Sequence, residues 1–142
     1  NAIMQYLASR CPSTLWPDDP HRRLDISRWQ FWEAAHWGPT VGTFLFENMV
    51  KQIVGAGAPD PAKLKEGQVQ MDRFGPVLNE HLATRNWLVG DTMTLADISV
   101  GSSLAYAQAC KLPLEPYAHI RDWHQRLEQV DAMKKTAPRA PN

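Results

Sequence analysis

Residues 86–99 read NWLVGDTMTLADIS, and this stretch decides the fold. Thr94 followed three residues later by Asp97 has the spacing of a capping box. In that device a hydroxyl and a carboxylate each engage an N–H group that has no intrahelical partner at the start of a helix. Met93 and Ile98 occupy the N′ and N4 positions of a hydrophobic staple around the same cap. The pattern predicts a helix beginning at Leu95. It carries Gly101, Ser102, Ser103, Ala105, Ala107 and Ala109, small residues that let neighbouring helices approach, and it ends at Lys111-Leu112-Pro113-Leu114. It is therefore expected to be central and buried, with Thr94 and Asp97 as structural capping residues.

Working outward, Tyr117, Ile120, Trp123, Leu127 and Val130 share one face of a last long helix, Pro116 to Val130, followed by a short basic turn and a Pro-rich tail expected to be mobile. Upstream, Leu64, Val69, Phe74, Val77, Leu78 and Leu82 outline another helix, with a bend predicted at Gly75-Pro76. Residues 55–62, GAGAPDPA, form a loop. Before it runs a long apolar stripe from His21 to Ile53, including Leu24, Trp29, Trp32, Val41 and Phe44, with a kink or break predicted near Gly38-Pro39. Residues 11–20, CPSTLWPDDP, cannot continue a helix and read as a linker. The opening NAIMQYLASR has Ile3, Met4 and Leu7 at helical spacing, with Asn1 alone in a position to cap it. No run of alternating β-branched residues appears, so the chain reads as all-α, about five main helices around the central capped one.

Composition narrows the function classes. With 15 basic and 15 acidic residues among 142, the chain lacks the electrostatic footprint of a nucleic-acid binder. No apolar run approaches the roughly 20 residues that cross a bilayer. Two cysteines, Cys11 and Cys110, are too few for a disulfide framework, which fits a reducing, cytoplasmic setting. Neither has the basic or histidine neighbours at helical spacing that activate a thiol, Lys111 beside Cys110 excepted. His119 and His124 are five apart, about 140° around a helix, and share no face, so no metal site is expected. Four of the six tryptophans fall between residues 16 and 37, which asks for a core or a pocket.

The order of NAIMQYLA, a Pro-rich linker, a Trp-rich helix, WLVGDTMTLADIS and a Pro-Tyr-x-x-Ile-x-x-Trp helix resembles the cytosolic glutathione transferases, with Leu88 to Asp97 as the strongest element. EAAHWGPTVGTFLFE, residues 33–47, looks loosely like the plant phi class and related bacterial enzymes. The resemblance implies that residues 1–12 are the last helix of a thioredoxin-like domain, 13–20 a linker, 21–138 an all-α C-terminal domain and 139–142 a tail. It further implies a Glu-Ser pair just before Asn1, placing Asn1 beside glutathione, and an activating Ser, Tyr or Cys upstream, so that this chain holds no catalytic residue. What it would hold is the wall of the electrophile site. The whole protein would conjugate the co-substrate glutathione to a small apolar electrophile, as in detoxification, and form a homodimer.

By the same resemblance, Trp37, Val41 and Phe44 face the electrophile pocket; His36, beside Trp37, is a candidate general acid or hydrogen-bond donor there. The alternative is that the three apolar residues are core or dimer contacts and His36 an ordinary hydrogen-bonded histidine. A different class also stays open: the same fold recurs as a non-catalytic protein-interaction module of the elongation-factor gamma type.

Overall fold

In a computed structural model of the protein, which describes residues 1–136, Thr94 stands in extended backbone (φ −129°, ψ 178°) at the head of α6, Leu95–Ser102. The capping box is formed. The Thr94 hydroxyl accepts from the Ala96 N–H at 3.3 Å, and Asp97 Oδ2 accepts from the Thr94 N–H at 2.8 Å and from the Thr94 hydroxyl at 3.1 Å. Asp97 also reaches well beyond its own helix. Its Oδ1 accepts from the Leu88 N–H at 2.9 Å and from Trp123 Nε1 at 3.0 Å. One fully buried carboxylate thus ties the preceding loop, the start of α6 and the next long helix together. Burial pushes its pKa up, against the downward pull of those hydrogen bonds.

The remaining elements follow from local chemistry. α1 (Ala2–Ser9) has no side-chain cap. α2 (Pro20–Trp32) is capped by Asp19, whose carboxylate accepts from the His21 N–H at 2.8 Å. The helix then passes through a wide π-turn, Glu33–Trp37, into α3 (Gly38–Leu45), a second π-turn at Phe46–Val50 and α4 (Lys51–Val54), and Gly55 at φ 67° ends it. Asp60 caps α5 (Pro61–Leu82). After α6 a 3₁₀ turn spans Ser103–Tyr106, followed by α7 (Ala118–Glu128) and the short α8 (Asp131–Thr136). No strand occurs among the described residues. The expected mobile tail, and the ends placed at 138 and 142, lie outside the described residues.

The core is a cluster of large side chains from all four long segments: Ile26 and Trp29 from α2, Trp37 and Val41 beside it, Met71 and Leu78 from α5, Val100 from α6, Ile120 and Trp123 from α7. Fully burying one such aliphatic or aromatic side chain stabilises the fold by about 1.5–3 kcal/mol.

The structure bears on three local expectations. The helix does not break at Gly38: the Gly38 N–H reaches back five residues to the Glu33 carbonyl, so the extra residue of a π-turn is absorbed just where Pro39 offers no donor. α5 is unbroken through Pro76, and Gly75 has a packing role of its own. A Cβ there would lie 2.5 Å from the Tyr117 ring, whose hydroxyl donates to the Met71 carbonyl at 3.2 Å. Finally, the capped helix is α-helical only to Ser102, and Ser102, Ala105 and Ala109 are exposed. The Ser102 and Ser103 hydroxyls donate to the carbonyls three residues back, a local bond that favours tightening into the 3₁₀ turn. Gly101 alone matches the close-approach reading, since a Cβ there would meet Leu127 Cδ2 at 2.1 Å.

Candidate functional site

Asn1 occupies the cap position of α1 but spends its side chain elsewhere. Its Nδ2 donates to the Gln30 carbonyl on α2 at 3.2 Å, and its Oδ1 accepts from the Ser99 hydroxyl on α6 at 2.7 Å. Ser99 Oγ also lies 3.4 Å from Glu33 Oε2, at the start of the first π-turn. One turn further along α1, Gln5 Nε2 donates to Gln30 Oε1 at 2.6 Å. The buried Gln30 Nε2 has no partner, and the half-buried Glu33 is paired with no cation among the described residues. This is a polar seam between three helices, with donor and acceptor capacity left over and the first turn of α1 uncapped by any side chain. Sequence reasoning singled out Asn1 but not Gln30, Glu33 or Ser99. No local pattern marks those three, because their meeting depends on how α1, α2 and α6 pack.

About one turn beyond Glu33, at some 1.5 Å of rise per residue, the same helix borders a groove of about 400 Å³. Its walls are Ala35, His36, Pro39 and Thr43 on one side and Gly67 and Phe74 of α5 on the other. The His36 and Phe74 rings stack with centroids 4.6 Å apart and planes 17° from parallel, and Trp32 meets Phe74 edge-on at 6.3 Å. Gly67 keeps α3 and α5 close, since a Cβ there would lie 3.1 Å from Phe44 and Thr43 side-chain atoms.

The four residues assigned to an electrophile wall are divided by the packing. His36 lines the groove. Trp37, Val41 and Phe44, at 0%, 2% and 5% exposure, face the interior instead. Trp37 stacks on Trp32 at 5.8 Å and supports the groove from behind. The helical stripe that carries these residues is wider than one face, and periodicity alone does not divide its inner edge from its outer one.

The other titratable groups are structural. His81 Nε2 lies 2.9 Å from the Leu88 carbonyl and its ring 4.6 Å from Trp29; burial pushes its pKa down, with the Leu88 hydrogen bond opposing. Cys110 is buried, which pushes its thiol pKa up, and Cys11 is exposed in the linker. Among the described residues no three His, Cys, Asp or Glu side chains converge as a metal site, and no helix is long and apolar enough to cross a membrane.

Comparison with known proteins gives a consistent family. Residues 37–131 match the glutathione S-transferase C-terminal domain. Glutathione S-transferase 3 of Zea mays is 29% identical over 149 residues, covering 99% of this chain and 65% of that protein. FtsZ-localized protein A of Caulobacter vibrioides is 29% identical over 112 residues, covering 78% of this chain and 49% of that protein. In three dimensions the chain superposes on glutathione S-transferase-I bound with lactoylglutathione with a TM-score of 0.87 at 22% identity, covering 96% of this chain and 66% of the other. The chain thus spans about half to two thirds of the length of these proteins.

Proposed function

The chain belongs to the glutathione S-transferase family, whose C-terminal domain it carries, and from that premise we propose that it forms the electrophile side of a site that joins the glutathione sulfur to a small apolar molecule. In such a step the thiol loses its proton, the sulfur lone pair forms a bond to an electrophilic carbon, and the leaving group departs with the displaced pair. The contribution of this chain is positioning. The groove receives the apolar body against Phe74 and the methyl of Ala35, while His36 offers the one polar ring on that wall. Glutathione is the co-substrate, and the residue that activates its sulfur lies outside this chain.

The observation that carries this reading is the Asn1–Ser99–Glu33 seam beside the groove. It holds the first turn of α1, where the family resemblance puts glutathione, one helical turn from the candidate electrophile wall. α1 itself reads as the last helix of a thioredoxin-like unit spanning residues 1–12, joined by the linker at 13–20 to the helical domain from residue 21. Met4 and Ala8 pack on the core, whereas Ile3, Tyr6 and Leu7 are exposed and offer a second apolar face to such a unit. A homodimer would use α2, α3 and α5, where Phe31, Val69 and Val77 are exposed.

Calorimetry with glutathione tests the proposal. The 142 residues alone should show no micromolar binding, and the protein joined to its thioredoxin-like unit should bind glutathione and conjugate a chloronitrobenzene, with Phe74→Ala raising the KM for the electrophile. Micromolar glutathione binding to this chain by itself would overturn it. The similarity to FtsZ-localized protein A favours one other reading, a non-catalytic interaction module. A folded whole protein that neither binds glutathione nor conjugates it would decide for the module.

A further inference from the structure

Between α6, the 3₁₀ turn, α7 and α8 lies a second hollow of about 480 Å³, separate from the seam and the groove described above. Its floor is formed by Gly101, Ser102 and Ala105: Gly101 lies under Leu127 of α7, while Ser102 and Ala105 are exposed among the described residues. Tyr106 and Met133 stand as walls, an aromatic face and an adaptable thioether. The volume falls in the range of about 300–1,000 Å³ that small-molecule sites occupy.

The polar lining is unbalanced in a way that selects a ligand. The Ser102 hydroxyl spends its proton on the Ser99 carbonyl at 3.0 Å, and the Thr136 hydroxyl spends its own on the Ala132 carbonyl at 2.9 Å. Both therefore face the hollow with lone pairs. The Glu128 carboxylate is another acceptor, 3.9 Å from His124 Nδ1, and burial keeps the His124 ring toward its neutral form. Lys134 is the one cationic side chain on the lining. Glu128 and Lys134 leave the lining with no net charge to hold an ion of either sign, whereas an O–H group can donate to the free lone pairs and accept from Lys134.

We propose that this hollow binds an uncharged aromatic alcohol, a phenol of one or two fused rings, with its rings between Tyr106 and Met133 and its hydroxyl among Ser102, Glu128 and Lys134. The site is independent of any glutathione chemistry.

The test is a titration of the whole 142-residue chain with 2-naphthol, followed by amide shifts in ¹⁵N-resolved NMR. Saturable shifts should concentrate on residues 101–106, His124 and Met133. 2-Methylnaphthalene, which lacks the hydroxyl, should bind at least about threefold more weakly, the size of one net hydrogen bond, and 2-naphthoate more weakly than 2-naphthol. Ala105→Trp, which fills the hollow from an exposed position, should weaken 2-naphthol about tenfold. Shifts centred on His36 and Phe74, or scattered over the surface, overturn the proposal. So does equal or tighter binding of either comparison compound, or unchanged binding to a folded Ala105→Trp variant. Should that variant not fold, the shift map and the comparison compounds on the unmodified chain decide the question.

Discussion

Replacing Asp97 with alanine tests the central claim about what holds this bundle together. Were Asp97 only a helix cap, its loss would cost about 0.5–2 kcal/mol. The structure asks more of it. Its two oxygens accept from the Leu88 N–H, the Thr94 N–H, Trp123 Nε1 and the Thr94 hydroxyl. Alanine leaves three N–H donors without an acceptor in a fully buried place, at about 1–3 kcal/mol each. Removing the charge recovers part of the cost of burying it, so the expected net loss is about 3–5 kcal/mol, as for other buried networks broken from one side. Urea unfolding followed by tryptophan fluorescence and circular dichroism gives the number directly. Asp97→Asn keeps the shape and one acceptor oxygen and should lose clearly less. In a double-mutant cycle, Trp123→Phe should couple to Asp97→Ala by about 1 kcal/mol or more, because each removes the same bond. A loss within the cap-only range, together with no coupling to Trp123, would refute the view that Asp97 joins α6 to α7 and to the loop before it.

Two glycine substitutions should act with opposite signs in thermal or urea unfolding. Gly75→Ala pushes a methyl into the Tyr117 ring at 2.5 Å and should destabilise by about 1–3 kcal/mol, whereas Gly42→Ala, with nothing within 4 Å of its Cβ, should stabilise by about 0.5–1 kcal/mol through helix propensity. His81 sets a pH dependence: because burial lowers its pKa in the folded state, the unfolded chain takes up the proton first as pH falls. The stability this neutral ring contributes is thus complete above about pH 6.5 and declines below it. Unfolding midpoints measured from pH 7.5 down to 5.5 should fall, and His81→Gln should flatten the trend. Ser99→Ala removes the bond that holds Asn1 and should cost about 1 kcal/mol in the chain; in the whole protein it should raise the KM for glutathione more than it lowers kcat with the electrophile.

Much of this molecule is legible from residues close together in sequence. The cap at Thr94 and Asp97, the linker and the sequence of helices all rest on interactions within a few positions of one another, and backbone hydrogen bonding converts such patterns into elements without reference to the rest of the chain. The apolar stripe from His21 to Ile53 is local in the same sense, although which of its residues turn inward is not. Local patterns do not decide what happens where two elements meet. Near Gly38-Pro39 the sequence points to a kink or a break, and the helix stays unbroken because a π-turn is accommodated just before Pro39. Gly101, Ser102 and Ala105 look alike in sequence, yet only Gly101 lies under another helix, so the others floor an open hollow.

By itself, then, the sequence determined an all-α chain with a capped helix at its centre, because capping and periodicity are local properties, and its motifs carried the resemblance to the glutathione transferases. Only the tertiary structure decided that Asp97 binds three elements at once, that His36 lines a groove while Trp37, Val41 and Phe44 back it, and that Asn1 meets Ser99, 98 positions away. Those outcomes depend on the packing of side chains from distant segments, where a displacement of an ångström separates a hydrogen bond from a void.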